Sequence, residues 1–256
     1  MEKAHIVLFF LALFLYGVDA GFRLFGVDGD KNILKSPLAA AFGMHTLFLA
    51  LRWGVSRHAP FAGMFESISF YVWSTALAVF VYFRRAVPRE VRKEVTYASL
   101  ICLLFMAVAS LSPKGVVPAY PALKTRWFEI HVGLSFLSYG LFTVGFCSSL
   151  AWDREKPGRY FSLCESASLM GFSLFSAGMV AGGIWAYYAW GSYWIWTPKE
   201  IFSVVLWVFY ASALHAKFDG RFGLRFIRAL SFAGYFVMLF TYLGVSVLLS
   251  SSHSFR

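Results

Sequence analysis

Apolar residues run in long blocks with short polar punctuation along the whole chain; Ile6–Ala20, Pro37–Leu51, Ile68–Phe83 and Ala229–Leu249 are four of these blocks. Each is comparable with the roughly 20 residues that a helix needs to cross a bilayer. The pattern predicts eight helices, at about 5–20, 36–53, 64–84, 95–112, 128–152, 166–188, 200–217 and 229–249. The expected fold class is all-α, a polytopic membrane helix bundle forming a single domain over 1–256. The loops between these helices reach no more than about 15 residues, which leaves no room for a soluble catalytic domain. The opening stretch has Lys3 ahead of an apolar run, as a signal peptide does. It lacks a small-x-small cleavage pattern, however, and reads as a retained first helix.

Composition agrees with this picture: 59% of residues are hydrophobic and 14% charged, against roughly half and a quarter in soluble domains. The formal charge of +10 does not point to nucleic acid, because the basic residues sit in short loops between spans. Their distribution instead orients the bundle. With both termini outside, only Lys3, Arg52, Arg57, Lys114, Lys124, Arg126, Lys199 and Arg256 of the 23 Lys and Arg residues fall on the outer side. The positive-inside rule then makes the termini and the segment before the seventh helix extracytoplasmic, with a bacterial inner membrane as the expected location. Cys102, Cys147 and Cys164 lie in or beside apolar segments at no metal-ligand or redox-motif spacing, so no disulfide framework is expected.

The densest chemistry lies at 185–200, where Trp185-Ala-Tyr-Tyr-Ala-Trp-Gly-Ser-Tyr-Trp-Ile-Trp-Thr-Pro-Lys-Glu200 holds four tryptophans and three tyrosines. Two readings stand: an interfacial aromatic belt, or a wall of flat apolar side chains able to cover a planar macrocycle. Pro198 and Glu200 mark a helix start within it. Histidine bears on the choice, because imidazole is a standard axial ligand of haem iron. His131 and His253 both map to the outer ends of predicted helices and so adjoin the aromatic loop. For His131 a hydrogen-bonded bundle histidine remains open beside a ligand role, and for His253 a solvated tail residue does. His215 lies near the inner end of the seventh helix and His45 near the middle of the second; each is open to buried polar packing or to a deeper haem position. Glu66 reads first as structural, pairing with Arg52 or Arg57. No nucleophile elbow, phosphate loop or zinc-protease helix occurs.

The segment Trp190-Gly-Ser-Tyr-Trp-Ile-Trp-Thr-Pro-Lys-Glu200 resembles the tryptophan-rich signature of the cytochrome c assembly protein family, of the CcsA or ResC type. Three further stretches are similar to that type: Arg57-His-Ala-Pro-Phe-Ala-Gly-Met-Phe-Glu-Ser67, Glu129-Ile-His-Val-Gly-Leu-Ser-Phe-Leu-Ser-Tyr139, and Leu214-His-Ala-Lys217 together with the Ser252-His-Ser254 tail. The resemblance implies that His131 and His253 ligate haem b at the outer face against Trp190, Trp194 and Trp196. It also implies that His215 serves a transmembrane haem position, with His45 as a further candidate. It implies as well a CcsB/ResB-like membrane partner and apocytochrome c, presenting Cys-x-x-Cys-His, as acceptor. The chain would then be the haem-export subunit of a cytochrome c synthase embedded in membrane lipid. A haem carrier of the same superfamily and a b-type electron-transfer cytochrome are the alternatives. The family pattern has Asp at the place of Thr197, Thr-Trp at Ile201-Phe202 and Asn at Gly63; Thr197 retains the ability to cap a helix.

Overall fold

A computed structural model describes residues 4–27, 33–84, 86, 88–116, 121–152, 157–218 and 222–248, and all regular elements among them are helices. The chain divides into two compact units, Met1–Tyr120 and Pro121–Arg256. Eight long helical segments match the eight expected. Seven of them are long and apolar enough to cross a membrane. The eighth, Pro198–Phe218, opens with Lys199 and Glu200 and carries His215 near its other end, which dilutes its apolar stretch.

The first unit comprises α1 (Ala4–Leu24), α2 (Pro37–Ser56), α3 (Met64–Phe83) and α4 (Pro88–Leu111). α4 begins well before the expected 95, because Pro88 is suited to a first helical position and the charged residues after it are good helix formers. α1 packs on α2 and α4, and α3 packs on α4. The buried face of α1 is His5, Phe9, Ala12, Tyr16, Asp19 and Arg23, spaced three or four apart. Its other face exposes Val7, Phe10, Leu11 and Phe14, as a lipid-facing surface requires.

Polar residues close this core at both ends. At one end Arg52, 1% exposed, donates from Nε to Glu66 at 2.7 Å and from its two terminal nitrogens to the carbonyls of Lys114 (2.9 Å) and Gly115 (2.7 Å). Its Nη1 also lies 3.1 Å from His5 Nε2. At the other end Asp19 accepts from Arg23 Nε at 2.7 Å, Ser99 Oγ at 2.7 Å and the Leu38 amide at 3.0 Å. Each of these four buried charges, Arg52, Glu66, Asp19 and Arg23, thus has an opposite charge within hydrogen-bonding distance.

The second unit comprises α5 (Arg126–Leu150), α6 (Pro157–Trp190), α7 (Pro198–Phe218), α8 (Leu224–Leu239), a π-helical turn Phe240–Gly244 and α9 (Val245–Leu248). The segment from α8 through α9 is continuous and is one apolar span, Leu224–Leu248. α5 and α6 form the most extensive helix pair. Glycines permit their approach: a Cβ added at Gly171 would stand 2.7 Å from the Phe142 ring, and one at Gly178 would stand 3.2 Å from Ser135 Oγ. α6 extends to Trp190 instead of ending near 188, because nothing in Trp185–Trp190 breaks a helix. Gly191, at φ +74, then stops it, its amide bonding back to the Tyr187 carbonyl at 2.9 Å.

Candidate functional site

His131 sits in the second turn of α5 and is half-buried against α6. Its Nδ1 lies 2.7 Å from the carbonyl oxygen of Gly178. A carbonyl only accepts, so the Nδ1 hydrogen is fixed there and Nε2 keeps the lone pair. The imidazole lies parallel to the Trp185 indole, with centroids 6.2 Å apart and planes within 7°. Trp185 is held in turn by its Nε1, which donates to the Ala122 carbonyl at 2.7 Å. The ring fits only because residue 182 is glycine: a Cβ there would come within 2.6 Å of His131 Nδ1 and 2.8 Å of Cε1. The Gly178 and Gly182 spacing on one face of α6 therefore makes the seat of the histidine. Trp185 and these two glycines were absent from the sequence-derived site set; the signal for them was the small-xxx-small spacing ahead of the aromatic run.

Beyond Trp185 the aromatic segment is partly helix and partly loop. Trp190 meets Trp185 edge to face at 6.4 Å and is 47% exposed. Tyr187 stacks on Tyr193 at 4.7 Å, which closes the loop back onto the end of α6. Trp194 and Trp196 meet edge to face at 6.1 Å; Trp196 is 68% exposed and sits at φ +57, a conformation that costs energy for an indole-bearing residue. The Trp194 indole nitrogen is buried with no partner among the described residues. Outward-turned indoles fit both an interfacial aromatic belt and a platform for a flat ligand, while the positive φ at Trp196 is strain that the loop holds in place.

Thr197 and Glu200 shape the exit of this loop. Glu200 accepts the Thr197 amide at 2.7 Å and the Ile195 amide at 3.2 Å, while the Glu200 amide bonds Thr197 Oγ1 at 3.3 Å. This reciprocal pair is a capping box with Pro198 at the first helical position. The threonine thus does the capping expected of it. Lys199, next in line, donates to the Tyr242 carbonyl at 2.8 Å and to Ser246 Oγ at 2.6 Å, which joins the start of α7 to the π turn and α9.

The remaining histidines lie elsewhere. His215 is exposed on α7, with Nδ1 bonded to the Ala211 carbonyl at 2.8 Å, so that its Nε2 is also the free nitrogen. It lines an open apolar groove of about 810 Å³ between α7 and α8, together with Val208, Phe209, Phe222, Phe226 and Leu230. Sixteen residues separate it from Lys199, a rise of about 24 Å along the helix. His45 belongs to the first unit and is fully buried; Nδ1 lies 3.2 Å from the Tyr16 hydroxyl and Nε2 has no partner among the described residues. His253 lies outside the described residues. Among the described residues no group of three or more His, Cys, Asp or Glu is placed to hold a bare metal ion. A haem iron makes no such demand, since the macrocycle supplies four ligands and the protein one or two.

The sequence model of the cytochrome C assembly protein family matches residues 61–253. The cytochrome c biogenesis protein CcsA of Prochlorococcus marinus (strain MIT 9303) is 26% identical over 95% of this chain and 90% of its own length. The protein NrfI of Wolinella succinogenes is 34% identical over 84% of this chain, which spans 25% of NrfI. Among solved structures the cytochrome c heme lyase CcmF superposes with a TM-score of 0.72 over 93% of this chain, at 21% identity; the chain spans 46% of CcmF. That likeness shows a shared fold. With its apolar spans, the chain is an integral membrane protein, and it belongs to the cytochrome c assembly protein family.

Proposed function

We propose that the chain binds haem at the extracytoplasmic face, between His131 and the tryptophan-rich loop, and presents it for thioether attachment to apocytochrome c. The observation that carries this reading is His131 itself. Its tautomer is fixed by the Gly178 carbonyl, its plane is set by Trp185, and its lone-pair nitrogen is left to bind. The exposed faces of Trp190 and Trp196 and the unpartnered Trp194 nitrogen suit a macrocycle beside it. His253 is assigned as the opposing axial ligand from the family resemblance, and His215, with its apolar groove, as the residue that holds haem nearer the other membrane face.

When bound, haem supplies the vinyl groups to which the acceptor's own thiols add. The protein's part is to bind, orient and shield, and this needs no nucleophile of its own. A CcsB/ResB-like membrane protein completes the synthase in this proposal. Purified with that partner, the chain is expected to yield covalent thioether product, whereas a carrier alone would load the acceptor without forming it.

Replacing His131 by Gly is expected to abolish the low-spin haem spectrum, with added imidazole restoring it. A His131→Gly protein that keeps the original spectrum without imidazole would remove His131 from the ligand set. The extracytoplasmic placement rests on the distribution of Lys and Arg. It predicts that an impermeant thiol reagent labels a cysteine placed at Tyr193 in intact cells and spares one placed at Lys93; the reverse pattern inverts the assignment.

A further inference from the structure

Lys199 occupies the first turn of α7, the positive end of that helix's dipole, where a cation is disfavoured. Glu200 does not neutralise it, because the Glu200 carboxylate is turned to the amides of Ile195 and Thr197. The described residues offer the ammonium no carboxylate. It is fixed by two neutral acceptors, the Tyr242 carbonyl and Ser246 Oγ, and lies 5.9 Å from the centre of the Tyr242 ring. Tyr242 belongs to the π turn, a local irregularity often found at functional sites. Its ring packs on Phe136 at 5.1 Å and Tyr139 at 5.9 Å, the turns of α5 that follow His131. Through Tyr242 the ammonium is thus tied to the face of α5 about one and a half to two turns beyond His131. A neutral donor such as glutamine would serve the same two acceptors without placing a charge at the wrong end of a helix. What the lysine adds is the charge.

We propose that Lys199 is a fixed positive charge that biases the His131 site toward ferrous over ferric haem. The proposal rests on the haem reading of this site and adds a selection of oxidation state to it. Ferric iron carries one more positive charge than ferrous iron, so a held cation nearby raises the free energy of the oxidised form relative to the reduced one. Two hydrogen bonds keep that charge in place, so the bias is built into the fold and needs no movement.

The test is a reductive titration of haem bound to the full-length protein in detergent, comparing wild type, Lys199→Gln and Lys199→Arg. At an effective dielectric of about 20, a unit charge acting over about 10 Å corresponds to about a tenfold change in the ferrous-to-ferric ratio. Lys199→Gln is therefore expected to lower the midpoint by about 59 mV, the one-electron equivalent of tenfold. Lys199→Arg is expected to hold the ratio within about twofold of wild type, since the charge is kept. A wild-type midpoint in Lys199→Gln overturns the proposal, as does an equal fall in Lys199→Arg, which would mark a loss of geometry instead of charge. If Lys199→Gln holds haem too weakly to titrate, ferrous and ferric haem are bound separately to the haem-free proteins. Linkage then requires the ratio of the two affinities to shift by the same factor, and an unshifted ratio overturns the proposal. Absence of haem binding in the wild type overturns the haem reading itself and is recognised before any variant is compared.

Discussion

His45 in the first unit and His131 in the second are both helix-borne imidazoles with Nδ1 engaged, yet their surroundings prepare them differently. His45 meets the hydroxyl of Tyr16, which donates or accepts and so leaves the tautomer open; Phe48 and Tyr16 lie against its ring and no part of it reaches the surface. His131 meets a carbonyl, which accepts only, and its neighbours across the interface are glycines. The first histidine is part of a sealed core and the second is held in a fixed pose with one nitrogen left over. In the proposed haem reading, the partner of one nitrogen and the size of the residues facing the ring are what separate an imidazole available to a ligand from one packed in the core.

The two units differ in the same sense in their charges, and the largest expected effect tests this. In the first unit Arg52 is matched to Glu66 and to two carbonyls with almost no exposure. Arg52→Met would leave Glu66 buried without its opposite charge and strip the carbonyls of Lys114 and Gly115 of their donor. The cost is about 3–5 kcal/mol, read as a large fall in the thermal midpoint in detergent. If Arg52→Met unfolds at the wild-type midpoint, the sealed-core description of this unit is wrong.

A smaller effect, confined to the second unit, comes from Gly182→Ala. The added methyl would stand 2.6 Å from His131 Nδ1, so the imidazole must turn off Trp185 and lose the Gly178 carbonyl. Overpacking of this kind costs about 1–3 kcal/mol. The more telling readout is haem, whose low-spin signature is expected to weaken in Gly182→Ala although no ligand has been removed. Retention of the wild-type spectrum with the methyl in place would mean that the seat of His131 does not set its pose.

Most of the architecture was legible in the chain because membrane spans write themselves as long apolar runs. The eight segments and the helix start marked by Pro198 and Glu200 follow from local pattern, whereas Glu66 was open to Arg52 or Arg57 and the packing of α2 on α3 selects Arg52. What the pattern did not show is contact between helices. Trp185 was visible as one of four tryptophans, but its stacking on His131 depends on the face of α6 that meets α5. Gly182 looked like any helical glycine until the imidazole was placed over it. Helix ends marked by charge instead of hydropathy were also misplaced, as α4 shows by starting at Pro88. The roles of Lys199 and the π turn come from a contact between residues 199 and 242, a separation over which sequence pattern is silent.

The smallest effect bears on the loop itself, at the position where the family pattern has aspartate. Thr197 bonds the Glu200 amide through Oγ1 while Glu200 returns a bond to the Thr197 amide, so each satisfies a donor that the first turn of α7 leaves open. Thr197→Ala removes one half of this exchange and is expected to cost about 1 kcal/mol. The loss should be local, appearing as faster amide exchange in the first turn of α7, with the Lys199 contacts loosened before any global midpoint moves. Thr197→Asp keeps the acceptor and adds a negative charge at the positive end of the helix, worth about 0.3–1 kcal/mol, so exchange there should slow below the wild-type rate. If alanine and aspartate leave the same exchange pattern, the cap is not what holds the loop, and the Glu200 carboxylate bonded to Ile195 and Thr197 must suffice alone.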